Sequence, residues 1–251
     1  MTDIGAQVRR NLDNFADRTA DEAEELRWQS EKVALIARTI ASLPRQRGGS
    51  LADVGCFTGI MTLKYSPGFL STVGFDSSEP ALARLTARGI EGRRWVVGVD
   101  DRCPARDAEF SVVVAADIIE HIVDTDAFTR ELYRIVEPAG FVVVTTPNLA
   151  FWLSRLRILA GRTPWGHPGV SPTISEDSQI DLNHIRQGTS AEWQALFRSA
   201  GFAVLSVKGW SILHAYSGGL GIQGRQLIDR WLTNYPNLAF GLMFLLQRPS
   251  T

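Results

Sequence analysis

The stretch Leu51–Gly59, LADVGCFTG, constrains this chain most. Four mostly apolar residues run into a bend with glycine at Gly55 and Gly59, and a helix-forming stretch comes next. Gly can take positive φ where a chain turns sharply and lets the backbone approach a ligand closely. The amides opening the next helix carry partial positive charge. The pattern reads as a parallel-sheet strand feeding a tight turn that cradles a nucleotide-like ligand.

Beyond the bend the chain alternates strand and helix. Expected strands are Leu51–Val54, Thr72–Phe75, Trp95–Val99, Phe110–Ala116 and Phe141–Thr145, a sixth at Phe202–Val207 and a last one within Leu238–Gln247. Phe110–Ala116 is apolar apart from Ser111, as a strand buried on both faces should be. Helices are expected at Ile60–Tyr65, Glu79–Arg88 with Pro80 in its first turn, after Asp124 or Thr125 with Phe128, Leu132 and Ile135 on one face, at Leu149–Leu159, and at Ser190–Ala200 behind the capping box Thr189-x-x-Glu192. Such alternation predicts right-handed βαβ units. The expected fold is α/β, a doubly wound, mostly parallel seven-stranded sheet with helices on both faces and an antiparallel last strand.

Residues 1–48 hold no strand pattern and read as an N-terminal helical cap. It carries a capping box at Asp21-x-x-Glu24 and apolar recurrence through Trp28, Leu35, Ile36, Ile40 and Leu43 up to Pro44. Residues 49–251 form the main domain. About 149–188 is expected to be an insertion that covers the acceptor, because a long Gly/Pro/Ser-rich loop inside a compact domain is usually functional.

Composition narrows the classes. With 26 basic and 27 acidic residues the net charge is −1, so nothing points to nucleic acid. Two cysteines, Cys56 and Cys103, cannot build a disulfide framework, and no CxxC or Cys/His spacing marks a zinc site, so no metal is expected. The polar start has no apolar signal region, and the longest apolar run, Leu238–Leu246, is too short to span a bilayer. A cytoplasmic protein without membrane contact is expected; a homodimer stays open.

The chemistry-bearing residues fall at expected strand ends, where sheets of this kind bind ligands. Asp53 lies before the first glycine, where a carboxylate opposes a phosphate but can receive an ammonium group or ordered water. Asp76, with Ser77 beside it, comes after the second strand at the distance where such units present an acid to ribose hydroxyls; helix capping is the competing role. Asp100 and Asp101 come after the third strand, within reach of an adenine amino group. Ala116, Asp117 and Glu120-His121 stand at the end of the fourth.

DVGCFTG, then GFD, then VVVAADIIEHI, then ELYRIVEPAGFVVVTTPN resembles the class I S-adenosylmethionine-dependent methyltransferases over about residues 50–148, and more loosely over Asp181–Phe202. The resemblance implies that Asp53, Gly55, Cys56, Phe57 and Gly59 surround the methionine end of S-adenosylmethionine. It implies that Asp76 and Ser77 hold the ribose, that Asp100 and Asp101 border the adenine, and that Ala116, Asp117 and His121 line cofactor and acceptor. Phe57 departs from the family's middle glycine and could crowd the methionine moiety. The implied reaction is methyl transfer to a small-molecule hydroxyl, amine or carboxylate, a metabolite or natural product, leaving S-adenosylhomocysteine. His121 and His184 are the candidate general bases, since an imidazole titrates near neutrality. Two other readings compete: a catalytically inactive binding protein, and an NAD(P)-dependent oxidoreductase, whose G-x-G-x-x-G bend fails at Phe57.

Overall fold

A computed structural model describes residues 22–44, 49–165, 184–212 and 220–250. Its centre is one seven-stranded sheet in the order β3-β2-β1-β4-β5-β7-β6. The strands are β1 (Ser50–Val54), β2 (Ser71–Asp76), β3 (Glu91–Arg94), β4 (Phe110–Ala116), β5 (Val136–Pro147), β6 (Ala203–Trp210) and β7 (Gly241–Gln247). The pairings β1–β2, β1–β4, β2–β3 and β4–β5 are parallel, whereas β7 runs antiparallel between β5 and β6. The mostly parallel sheet and the antiparallel last strand are therefore as expected. The strand order reverses at β1 and β4, and the crevice beyond their carboxyl ends is where open α/β sheets bind ligands.

Helices α1 (Glu22–Ala41), α2 (Thr62–Tyr65), α3 (Glu79–Ala87), α4 (Thr125–Ile135), α5 (Trp152–Leu159), α6 (Ser190–Ser199) and α7 (Leu220–Leu232) flank the sheet. On one face, α4 and α6 bury Phe128, Leu132 and Phe197 against Val113, Val142 and Phe244. On the other, α1 buries Ile36 and Ile40 against Val112, Val143 and Met243. The first described helix is thus continuous with the core beneath the sheet. Asp21 of the first expected capping box lies outside the described residues, as does the middle of the expected insertion, 166–183.

Local chemistry sets the helix starts. The side chains of Ser78 and Asp124 accept from Ala81 N and Ala127 N to cap α3 and α4. Thr189 and Glu192 form the full reciprocal capping box on α6.

Two expectations change. The third strand is Glu91–Arg94, not Trp95–Val99. It is a polar edge strand whose register with β2 pairs Val73 with Glu91 through Asp76 with Arg94. The apolar Trp95 and Val96 instead turn into the core, with Trp95 stacked on Phe128 at 5.9 Å. Second, the fifth strand is longer than Phe141–Thr145: it starts at Val136, so Pro138-Ala139-Gly140 run within β5, with Ala139 at φ 61.

Candidate active site

The bend after β1 is built from left-handed residues at alternate positions: Gly55 at φ 78, Phe57 at φ 48 and Gly59 at φ 77. Phe57 therefore adopts the backbone conformation that a glycine would supply, at a strain of about 1–2 kcal/mol. Its amide donates to Asp76 Oδ2 at 2.8 Å, which ties the bend to the end of β2. Gly59 is required for a second reason: a Cβ there would lie 2.2 Å from Leu85 Cδ1.

Asp53 does not face the crevice. It is 2% exposed, and its Oδ2 accepts from the Thr62 hydroxyl and from Tyr65 Oη at 2.6 Å. Burial pushes its carboxyl up to about 6. It braces the bend from behind by fastening β1 to α2, which corrects the expected role of receiving an ammonium group. The Cys56 side chain is also turned away, packed among Leu82, Leu85 and Ile90, and burial raises its thiol far above the usual range.

Asp76 is half-buried at the tip of β2. One oxygen takes the Phe57 amide and the other takes the Ser78 amide at 2.9 Å. Burial raises its carboxyl, while those amides pull it back down. A carboxylate oxygen can accept more than one hydrogen bond, so the group is held in a fixed orientation with lone pairs left for a diol. The cap of α3 is Ser78, so the competing capping role for Asp76 falls away. Ser77 sits half-buried in the same turn. Asp100 is exposed and accepts from Val96 N at 2.7 Å, closing its own loop; Asp101 beside it is exposed. Because β3 ends at Arg94, this pair is farther from the strand tip than expected.

At the end of β4, half-buried Ala116 pairs with Thr145. Asp117 takes φ 49, a conformation Asp tolerates better than most residues. Its amide donates to Thr145 O at 3.0 Å, and its Oδ1 accepts from Thr145 Oγ1 at 2.6 Å. Its Oδ2 pairs with Lys32 Nζ. Lys32 comes from the middle of α1 and is 2% exposed, with its ammonium 5.2 Å from the Trp210 ring centre. Near its start, α1 meets the glycine bend: Glu22 accepts from the Thr58 hydroxyl at 3.1 Å and from Arg88 at 2.7 Å, and Arg88 also donates to Thr58 O. That guanidinium holds the Glu22 carboxyl below its usual range. The helix thus straps the bend to the tip of β4.

A short 3-10 turn, Ile119–His121, comes next. Glu120 is 1% exposed, and neither carboxylate oxygen has a hydrogen-bond partner. Burial, and then the Asp117 charge, push its carboxyl well above the ordinary value, with Lys32 and Thr146 acting in the opposite sense. The segment before α6 lies over this turn. Arg186 N donates to Glu120 O at 2.9 Å and the Arg186 side chain to Val123 O at 3.1 Å. That strap places the His184 ring 4.8 Å from the His121 ring, with His184 Nε2 3.9 Å from Glu120 Oε1. The two histidines singled out in the sequence therefore meet.

Sequence reasoning missed Lys32, whose signal was legible: Trp28, Lys32, Ile36 and Ile40 fall four apart on one helix stripe, and a lysine on an apolar stripe needs a partner. Thr145 carried no such signal. Among the large aromatic residues outside the motifs, Phe151 and Trp210 are buried core, whereas Trp231 is exposed.

A family model for a methyltransferase domain matches residues 25–207. A ubiquinone biosynthesis O-methyltransferase from a Bradyrhizobium species is 26% identical over 116 residues, 44% of this chain and 45% of that protein. A Mycolicibacterium smegmatis protein described as a probable S-adenosylmethionine-dependent methyltransferase is 28% identical over 72% of this chain and 62% of its own length. The matches thus span about half to two-thirds of these relatives. Among solved structures, an S-adenosylmethionine-dependent methyltransferase from Mesorhizobium loti superposes with a TM-score of 0.58 at 18% identity, covering 84% of this chain and 95% of that one, a likeness of fold. With the family match spanning most of the chain and the motif order intact on this sheet, the protein belongs to the methyltransferase-domain family, in its Rossmann-like, S-adenosylmethionine-dependent class I.

Proposed function

We propose that this protein transfers a methyl group from S-adenosylmethionine to a hydroxyl of a small molecule. The observation that carries the reading is the convergence at the crevice: the left-handed bend, the amide-oriented Asp76 and the paired histidines lie at the carboxyl ends of β1, β2 and β4. A hydroxyl acceptor is favoured by the ubiquinone O-methyltransferase relative, and the charge balance gives no support to nucleic acid.

The residues present fit the cofactor. Asp76 would accept from the ribose hydroxyls, with both oxygens already oriented by backbone amides. The bend from Gly55 to Gly59 would border the amino-acid end, and Ala116 the face toward the acceptor. When bound, S-adenosylmethionine supplies a methyl group already activated by its sulfonium. What remains for the chain is to hold the acceptor in line and exclude water, and orientation of this kind lowers barriers by several kcal/mol. In this reading the half-buried His121–His184 pair takes the hydroxyl proton. Phe57 keeps the bend on the backbone path that a glycine would take.

Calorimetry tests the reading. S-adenosylmethionine and S-adenosylhomocysteine should bind and NAD should not. Asp76→Ala should weaken the sulfur cofactors at least about tenfold, the scale of lost charged hydrogen bonds. A folded protein that binds neither sulfur cofactor overturns the proposal.

A further inference from the structure

We propose that Glu120, His121 and His184 form a binding site for a divalent transition-metal ion at the acceptor edge of the crevice, where the ion takes the acceptor hydroxyl as a further ligand. One donor atom from each residue lies within 4.8 Å of the other two. Two imidazoles and a carboxylate are a donor set for Zn²⁺, Fe²⁺, Co²⁺ or Mn²⁺. The site is wider than a metal shell, so binding an ion would draw the three side chains in to ligand distances near 2.0–2.2 Å.

The independent observation is Glu120. It is 1% exposed, yet neither carboxylate oxygen has a partner within hydrogen-bond distance, and the buried Thr146 hydroxyl acts on it only from beyond that distance. Buried polar groups are normally satisfied, and a buried carboxyl group without a partner is costly. The neighbouring cation does not resolve it, because Lys32 is engaged by Asp117. A dication between Glu120 and the histidines would supply the missing partner. The strap of Arg186 onto Glu120 O and Val123 O gives the site its rigidity, fixing the distant third ligand over the first two. The expectation that no metal binds rests on local Cys/His spacing, which cannot reveal a ligand set split between two distant segments.

The ion's role rests on the proposed methyl transfer; the site itself does not. A metal–oxygen bond to the acceptor hydroxyl lowers its pKa. With both imidazoles bound to the ion, neither serves as the base: the proton leaves to solvent and the oxygen keeps its electron pair, with no change of oxidation state.

The test uses the full chain, stripped of metal with a chelator and dialysed. Co²⁺ is titrated by visible absorption and Zn²⁺ by calorimetry, with circular dichroism as the measure of an intact fold and S-adenosylmethionine binding followed beside it. Expected are one ion per chain, d–d bands of a low-coordinate Co²⁺, and losses of at least about 100-fold in Glu120→Gln and His184→Ala, since even outer-shell partners are worth 10–100-fold. A folded, cofactor-binding chain that takes up no ion overturns the site, as does ion binding unchanged in both variants. Metal binding without cofactor binding would instead sink the methyltransferase reading and leave the site standing. Should the acceptor be methylated equally fast before and after metal removal, the role at the hydroxyl is overturned.

Discussion

Replacing Lys32 with methionine probes the strap across the crevice. The substitution keeps most of the buried stem and removes the ammonium that Asp117 faces. Removing one partner of a buried ion pair costs about 3–5 kcal/mol, mostly as the desolvation of the charge left behind. Asp117 keeps its 2.6 Å bond from Thr145 and is 21% exposed, so water can reach it in part. The expected loss is therefore at the lower end, about 3 kcal/mol. In a domain of this size that corresponds to a fall in Tm of about 6–12 °C. Asp117→Asn alone strands the lysine and should also destabilise. The double substitution removes both charges, so it should be less destabilised than the sum of the singles by about 2 kcal/mol. Urea unfolding of the four proteins at pH 7 measures each difference. A Lys32→Met loss below about 1 kcal/mol, or strict additivity in the cycle, refutes the pairing as a stabilising contact.

Asp53 gives a pH-dependent test. Its folded-state carboxyl holds a proton to about pH 6, against 3.8 for the ordinary group. Between those values the unfolded chain binds fewer protons, so stability falls as pH rises, by about 3 kcal/mol in full. Asp53→Asn removes that dependence. Its stability relative to the parent should improve by about 2–3 kcal/mol between pH 4 and pH 7.5 in urea unfolding; a pH-independent difference would count against the buried acid. Gly59→Ala combines a left-handed penalty with a Cβ 2.2 Å from Leu85, itself held close to Gly74, and should cost about 2–4 kcal/mol and weaken S-adenosylmethionine binding in calorimetry. Thr189→Ala, which breaks the α6 capping box, should cost about 1 kcal/mol in thermal unfolding without altering cofactor affinity.

Most of the sheet is written in the chain's own pattern. The apolar runs at Leu51–Val54 and Phe110–Ala116 can be satisfied only between neighbours on both faces, and Ser78, Asp124 and Thr189 start helices through bonds to their own chain. The place of the cofactor crevice was legible for the same reason, since a glycine bend after a strand is a local signal. Strand β3 was not, because EGRR owes its conformation to the edge of β2 and not to its own pattern. The tertiary structure decided which acids face the crevice. Asp53 and Asp76 read alike in the sequence, yet Thr62 and Tyr65 turn one inward while the amides of Phe57 and Ser78 fix the other at the rim. It also decided the company kept by Glu120: a lysine from α1 on one side and a histidine brought back by the Arg186 strap on the other. Side chains from distant segments meet only after the chain has folded, and no spacing along it records that they will.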